Sequence, residues 1–265
     1  MSPYFSSADS GGLSSQSDKS PRPPPTPVMT PEAFKASFMK PPRCLPYTAP
    51  ASEGADVWDG VTSADASEDP SKIVLLYSRY EIPPGRRDRE HREGGWTREH
   101  VWPQSRGGRR EAGGRDGMST SSPGIGTDLH NLFAADKSVN SARQNKHFAR
   151  LPGGKAVVDR TPMGGGDGAL LARTSADAWE PPDACKGEVA RAALYMACMY
   201  AGRLRLVRGF GDAPGEMGDL GHLLDWNETF PPTTRERRRN DVVEGFQGNR
   251  NPFIDDPVSA GSIEW

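Results

Sequence analysis

Three cysteines, no long apolar run and no surplus of either charge mark this 265-residue sequence. Cys44, Cys185 and Cys198 allow at most one intramolecular disulfide, and the absence of any CxxC argues against a zinc ribbon or finger. The thirteen-residue spacing of Cys185 and Cys198, near opposite ends of one helical stretch, argues against pairing them. No apolar stretch approaches the roughly 18–20 residues that span a bilayer. The first thirty residues lack a basic start followed by an apolar core, so no ordinary signal peptide is expected. A formal charge of −2 argues neither for nor against a nucleic-acid partner.

Glycine and proline are abundant, with 30 and 25 residues, which predicts many loops and some disorder. The length suffices for one domain with a real core. Residues 1–30 contain eight Ser and six Pro and cannot bury enough apolar surface to offset chain entropy. We therefore expect a disordered segment over residues 1–50 and a folded domain over 56–265. Within the transition, "TPEAFKASF" (30–38) fits a short helix with Thr30 as N-cap and Pro31 at its first position.

"KIVLLYSRY" (72–80) reads as a buried strand, with a short helix as the alternative, and stops at "IPPG". "TREHVWP" (97–103) and "TDLHNLFAAD" (127–136) read as further strands. "KSVNSARQNKHF" (137–148) reads as a helix capped near Asp136–Ser138. Residues 105–126 and 151–168 are Gly-rich loops, the second with a short strand at 156–159. Three helices follow, over 187–204, 221–230 and 233–248. The first has an apolar face of Val189, Ala193, Met196 and Tyr200, and the last runs from Thr233 or Thr234 to Gly248. This order indicates a mixed α+β domain.

Arg-Glu-His occurs twice, ending at His91 and at His100. Hydrolysis of a phosphodiester needs a base near neutral pH, for which His is suited. It also needs a cation to neutralise developing charge, and Mg²⁺ is content with one or two protein oxygens and several waters. Glu99, His100, Asn131 and Asn140 supply those residue types within one segment.

"WTREHVWPQS" with "DLHNLFAADKSVNSARQNKHF" resembles the endonuclease I family, of the ββα-metal (His-Me finger) nuclease group. "KIVLLYS", "WEPPDACKGEVARAALYMA", "LLDWNETFPPTTRERRRND" and "FQGNRNPFIDDP" extend the resemblance over residues 56–265, and several motifs in the right order make it specific. It implies a ββα-metal core with a helical C-terminal part. It implies His100 as general base, Asn140 and Glu99 as ligands of one Mg²⁺ (Mn²⁺ or Ca²⁺ as alternatives), and Asn131 as the group that orients the histidine. An arginine is expected on the phosphate. Arg143, Arg109 and Arg110 are the candidates, and Arg143 is carried with the catalytic set. Thr97 stands where the family usually has Asn, and Phe133–Ala134 where relatives often have Arg-Pro.

The resemblance also implies a monomeric, sequence-nonspecific nuclease of DNA or RNA that leaves 5′-phosphate ends and acts outside the cytoplasm, with no membrane partner. The rivals are an enzyme acting chiefly on RNA and a nucleic-acid-binding protein that has lost catalysis. His91 lies in a charged insert without the following Trp-Pro and is expected at the surface. His130 is expected to hydrogen-bond structurally, and His147 and His222 to lie at helix ends or the surface. Residues 79–116 carry ten Arg against seven acids, and 235–250 five against three. Both runs are solvated faces unless they border one groove, where Arg forks suit phosphate. Arg250 is a lesser candidate for the site, since its loop reads as packing around Phe253.

Overall fold

A computed structural model describes residues 28–87, 95–108, 118–158 and 170–265. His91, Arg109 and Arg110 lie outside them. The described chain is mixed α+β. Helix α1 (Pro31–Phe38) and α2 (Val57–Ala64) precede a two-stranded ladder, β1 (Ile73–Val74) with β2 (Glu81–Ile82). The antiparallel pair β3 (Trp96–His100) and β4 (Leu132–Asp136) leads into α3 (Lys137–Arg143). Strands β5 (His147–Phe148), β6 (Lys155–Val158), β7 (Leu170–Thr174) and β8 (Ala178–Glu180) form one sheet in the order β5-β8-β7-β6. Then come α4 (Asp183–Met199), a parallel pair β9 (Arg205–Leu206) and β10 (Glu216–Met217), α5 (Leu220–Thr229), α6 (Thr234–Gln247) and α7 (Pro252–Asp255).

β4 divides two apolar cores. Side chains alternate across a strand, so Phe133 and Ala135 join the larger core while Leu132 and Ala134 join the smaller. The larger gathers on α4, which is buried almost all round. The single apolar face expected there is therefore replaced by a central helix. Its few charges are paired: Glu188 with Arg79 and Arg235, Arg191 with Glu236. The smaller core joins α2, β1 and Trp96 to Val243 of α6.

Several expectations change length or place. The strand at 72–80 shrinks to Ile73–Val74. Leu75, Leu76 and Tyr77 stay buried but turn, and Leu76 N–H donates to the Ala134 carbonyl (2.8 Å). The helix expected to 148 stops at Arg143, because Gln144 takes a left-handed φ of 57° and the chain enters β5. β7 and β8 were not anticipated. The segment expected to be disordered through residue 50 is described from 28 onward. There α1 starts at Thr30 and Pro31 as read from sequence, and Phe34 stacks on Phe253 with centroids 5.2 Å apart.

The basic run at 235–250 is divided: Arg237 and Arg238 are exposed, Arg235 and Arg250 part-buried, and Arg239 buried. Arg239 pairs with Asp65 (2.9 Å), Arg235 with Glu188, and Arg250 with Asp241, Glu244 and Asp255. Arg237 and Arg238 donate to backbone carbonyls. Arg250 does not line the cavity described below.

Candidate active site

β3 and β4 are in register with His100 opposite Leu132 and Glu99 opposite Phe133. Asp136 closes β4 and caps α3 by accepting from Ser138 N (2.8 Å) and Val139 N (3.2 Å), so the helix starts without a linker. The result is an antiparallel hairpin followed at once by a helix packed on it. His100 is the last residue of β3, and the chain beyond it is pinned by Asn131. Asn131 Oδ1 accepts from Trp102 N (2.6 Å), its Nδ2 donates to Trp102 O (3.1 Å), and its own carbonyl accepts from Val101 N (3.0 Å). Asn131 lies in the turn before β4 rather than on the strand.

His100 Nε2 lies 2.9 Å from the Gly126 carbonyl. A carbonyl only accepts, so this shorter contact assigns the proton to Nε2 and the lone pair to Nδ1; in that tautomer Gln104 Nε2, a donor 3.2 Å from His100 Nε2, makes no hydrogen bond to it. Gly126 is a sterically required glycine, since a Cβ there would meet Ser119 O at 2.1 Å. Burial pushes the His100 pKa down to about 4, opposed by the Gly126 carbonyl and helped by the charges of Arg98 and Arg143. Glu99 Oε1 accepts from Tyr77 Oη (2.8 Å) and lies 3.5 Å from Arg143. Burial raises its carboxyl pKa, against the pull of Arg143 and Tyr77.

Glu99, His100, Asn140 and Arg143 line one open cavity of about 300 Å³, with Arg98, Gln104 and Asn145 on its walls. Asn140 Nδ2 contacts the Arg98 carbonyl at 3.5 Å. Among the described residues its Oδ1 accepts no hydrogen bond. Arg143 is buried and gives its guanidinium to the protein: Nη1 donates to His100 O (3.1 Å) and Gln144 O (3.2 Å), and Nη2 donates to Val101 O. It ties α3 to the end of β3.

A carboxylate and an amide oxygen on one cavity wall suit a hard cation that keeps most of its waters. No group of three or more His, Cys, Asp or Glu able to hold a metal lies among the described residues. Glu99 and Asn140 are the oxygen-bearing residues of this cavity that could hold such an ion.

Four of the five residues singled out in the sequence, Glu99, His100, Asn140 and Arg143, meet at this cavity, while Asn131 binds Trp102 and does not line it; Gly126, Tyr77 and Arg98 were missed. Arg98 lies between Tyr47 and Trp58, its guanidinium carbon 3.3 and 4.0 Å from their ring centres, and it has no carboxylate partner among the described residues. Tyr77 is 22 residues before Glu99, with no local signal of the contact. His130 is buried with Nε2 3.2 Å from Asn249 O, a structural bond as expected. His147 is also buried, on β5, and is neither at a helix end nor at the surface. His222 lies on α5, half-exposed beside Asp219.

The family model Endonuclease I matches residues 47–258. An extracellular ribonuclease of Bacillus amyloliquefaciens is 37% identical over 218 residues, covering 79% of this chain and 67% of that protein. An extracellular deoxyribonuclease of Aeromonas hydrophila is 30% identical over 171 residues, 63% of this chain and 64% of that one. Endonuclease-1 of Buchnera aphidicola subsp. Baizongia pistaciae is 26% identical over 132 residues, 49% and 46% of the two chains.

Proposed function

The chain belongs to the endonuclease I family, and from this premise we propose that it is a metal-dependent, largely sequence-nonspecific endonuclease of DNA and RNA. The carrying observation is His100, its Nε2 anchored on Gly126 O, in a cavity shared with Glu99 and Asn140. His100 Nδ1 takes a proton from a water molecule. The water oxygen bonds to phosphorus in line with the departing 3′ oxygen, the P–O3′ bond breaks, and solvent protonates the 3′ oxygen. The products are a 5′-phosphate and a 3′-hydroxyl. With a pKa near 4 the imidazole is neutral at pH 7 but weakly basic. A bound phosphate beside it raises that value toward the working range.

Glu99 and Asn140 are the residues that would hold a divalent ion, Mg²⁺ with Mn²⁺ or Ca²⁺ as alternatives. When bound it would neutralise charge developing on the phosphate and the leaving oxygen. Asn131 and Arg143 act as positioning residues, since both bind the backbone just after or at His100. The backbone is the recognised feature, so cleavage should weaken steeply with salt. The protein acts as a monomer on nucleic acid. The extracellular and periplasmic relatives support an extracytoplasmic site of action.

A second reading, preference for RNA, is favoured by the 37% identity to an extracellular ribonuclease. Comparing rates on single-stranded RNA and duplex DNA separates the two. The overall test is cleavage of plasmid DNA and RNA with Mg²⁺ and with EDTA. His100→Ala should lose nearly all activity and His91→Ala should retain it; equal cleavage by His100→Ala would sink the assignment. Nucleic-acid binding without EDTA-sensitive cleavage would instead point to a binding protein that has lost catalysis.

A further inference from the structure

Phe210 lies on the loop after β9, between two glycines, with 45% of its surface in solvent. Its ring rests nearly flat on His147, with centroids 5.2 Å apart and planes 13° apart. His147 is fixed beneath it: the ring is buried on β5, and Nδ1 accepts from Gly218 N at 2.9 Å. Gly209 has a left-handed φ of 77°, which favours glycine at that position. The chain thus places a large apolar ring on a rigid base and leaves much of it uncovered.

Arg106 connects this ring to the cavity. Its Nε donates to Asn145 O (2.6 Å) and its Nη1 to Gly211 O (3.2 Å), and Asn145 is a wall residue of the His100 cavity. One guanidinium therefore separates Phe210's loop from the site of hydrolysis. Arg208, exposed on the same loop, adds a second cation nearby. An exposed aromatic ring beside arginines, next to a phosphodiester site, is suited to an unpaired base. Every base has a π-face, so stacking is sequence-tolerant. A base inside a duplex has both faces covered and cannot use such a ring.

We propose that Phe210, seated on His147 and tied to the cavity through Arg106, is a base-stacking subsite for a nucleotide flanking the scissile phosphate in single-stranded nucleic acid. This deepens the nuclease reading and rests on it for the identity of the substrate. Its consequence is a preference for single strands and loops over uninterrupted duplex, in RNA and DNA alike.

The test is a binding titration in the His100→Ala background, which holds the substrate uncut. The probe is a single-stranded oligonucleotide carrying one 2-aminopurine, with a duplex of the same sequence as comparison. Phe210→Ala should raise Kd for the single strand at least fivefold, the low end of what one stacked base contributes. Phe210→Trp should restore it, and duplex binding should change less. A rise below fivefold, or an equal loss on the duplex, overturns the subsite. The two proposals fail separately. An unmutated protein that never cuts but binds single strands through Phe210 would lose only the nuclease reading. A working nuclease with Phe210-independent binding would lose only the subsite.

Discussion

Truncating Asn131 should separate the positioning of His100 from its chemistry. The Asn131 amide is fully buried and holds both backbone polar groups of Trp102, which is itself buried. Asn131→Ala leaves one buried N–H and one buried C=O without partners. Each such group costs about 1–3 kcal/mol, so the variant should lose roughly 2–6 kcal/mol, less if a water enters the vacated space. At about 2–4 °C per kcal/mol for a domain of this size, a loss near 3 kcal/mol lowers Tm by about 6–12 °C. Cleavage measured well below the new Tm should still fall, because the chain just beyond His100 is released. Asn131→Asp is the sharper variant. Its carboxylate still accepts from Trp102 N but turns a second acceptor toward Trp102 O, whereas its protonated form can donate there. Relative to the unmutated protein at each pH, Asn131→Asp should therefore be less destabilised at pH 4.5 than at pH 8. A Tm within 2 °C of the parent for Asn131→Ala, or a pH-independent deficit for Asn131→Asp, would refute the bridging role.

Three further outcomes follow from buried charge. His100 and His130 each have a pKa near 4, below the ordinary 6.5, chiefly through burial. The unfolded chain therefore binds their protons more readily. Their stabilising contribution is full above about pH 6.5 and is lost as pH falls toward and through about 4, on the order of 3 kcal/mol each. Urea unfolding across that range should show the decline, and His130→Gln should flatten it. Arg143→Ala and Arg143→Lys should both lose several kcal/mol by thermal unfolding: either change breaks the fork onto His100 O and Val101 O, and an ammonium cannot reproduce it. Arg191→Met should cost about 3–5 kcal/mol by stranding buried Glu236, while the double change with Glu236→Leu should recover most of that loss.

Local chemistry was legible in the sequence where one short segment controls the outcome. Thr30 and Pro31 start α1, Thr233 and Gly248 bound α6, and Asp136 caps α3, because caps depend on neighbours within four residues. The candidate residues could be picked out because Glu99, His100, Asn131 and Asn140 stand in short motifs that resemble the endonuclease I family, and the chain places them at the end of β3, in the turn before β4 and on α3. What was not legible depends on long-range contacts. Leu75–Tyr77 have strand composition but turn, so that Tyr77 reaches Glu99 and Leu76 reaches β4. Arg235 and Arg239 of α6 read as part of a basic face because their partners Glu188 and Asp65 lie 47 or more residues away. His147 reads as a helix end because Gln144 breaks the helix three residues earlier.

Those same long-range contacts tie the short segment bearing the candidate site to the rest of the residues that the family model matches. The turn bearing Asn131 is held from behind by the C-terminal part. Arg239 donates to the carbonyls of Leu129 and Leu132, Gln247 binds both Leu129 N (3.0 Å) and Asp128 (2.8 Å), and Asn249 receives His130. Asp128, fully buried, also accepts from Tyr195 and Tyr200 of the central helix region, each at 2.8 Å. Asn131 then fixes Trp102, and Gly126 fixes the imidazole. A hairpin of two five-residue strands cannot hold such geometry alone, since an isolated hairpin is marginal in water. α6 and the "QGN" loop serve as the mould that keeps the turn rigid. Residues more than a hundred positions from His100 thus hold the turn beside it, and α6 contributes Arg239 and Gln247 to that hold.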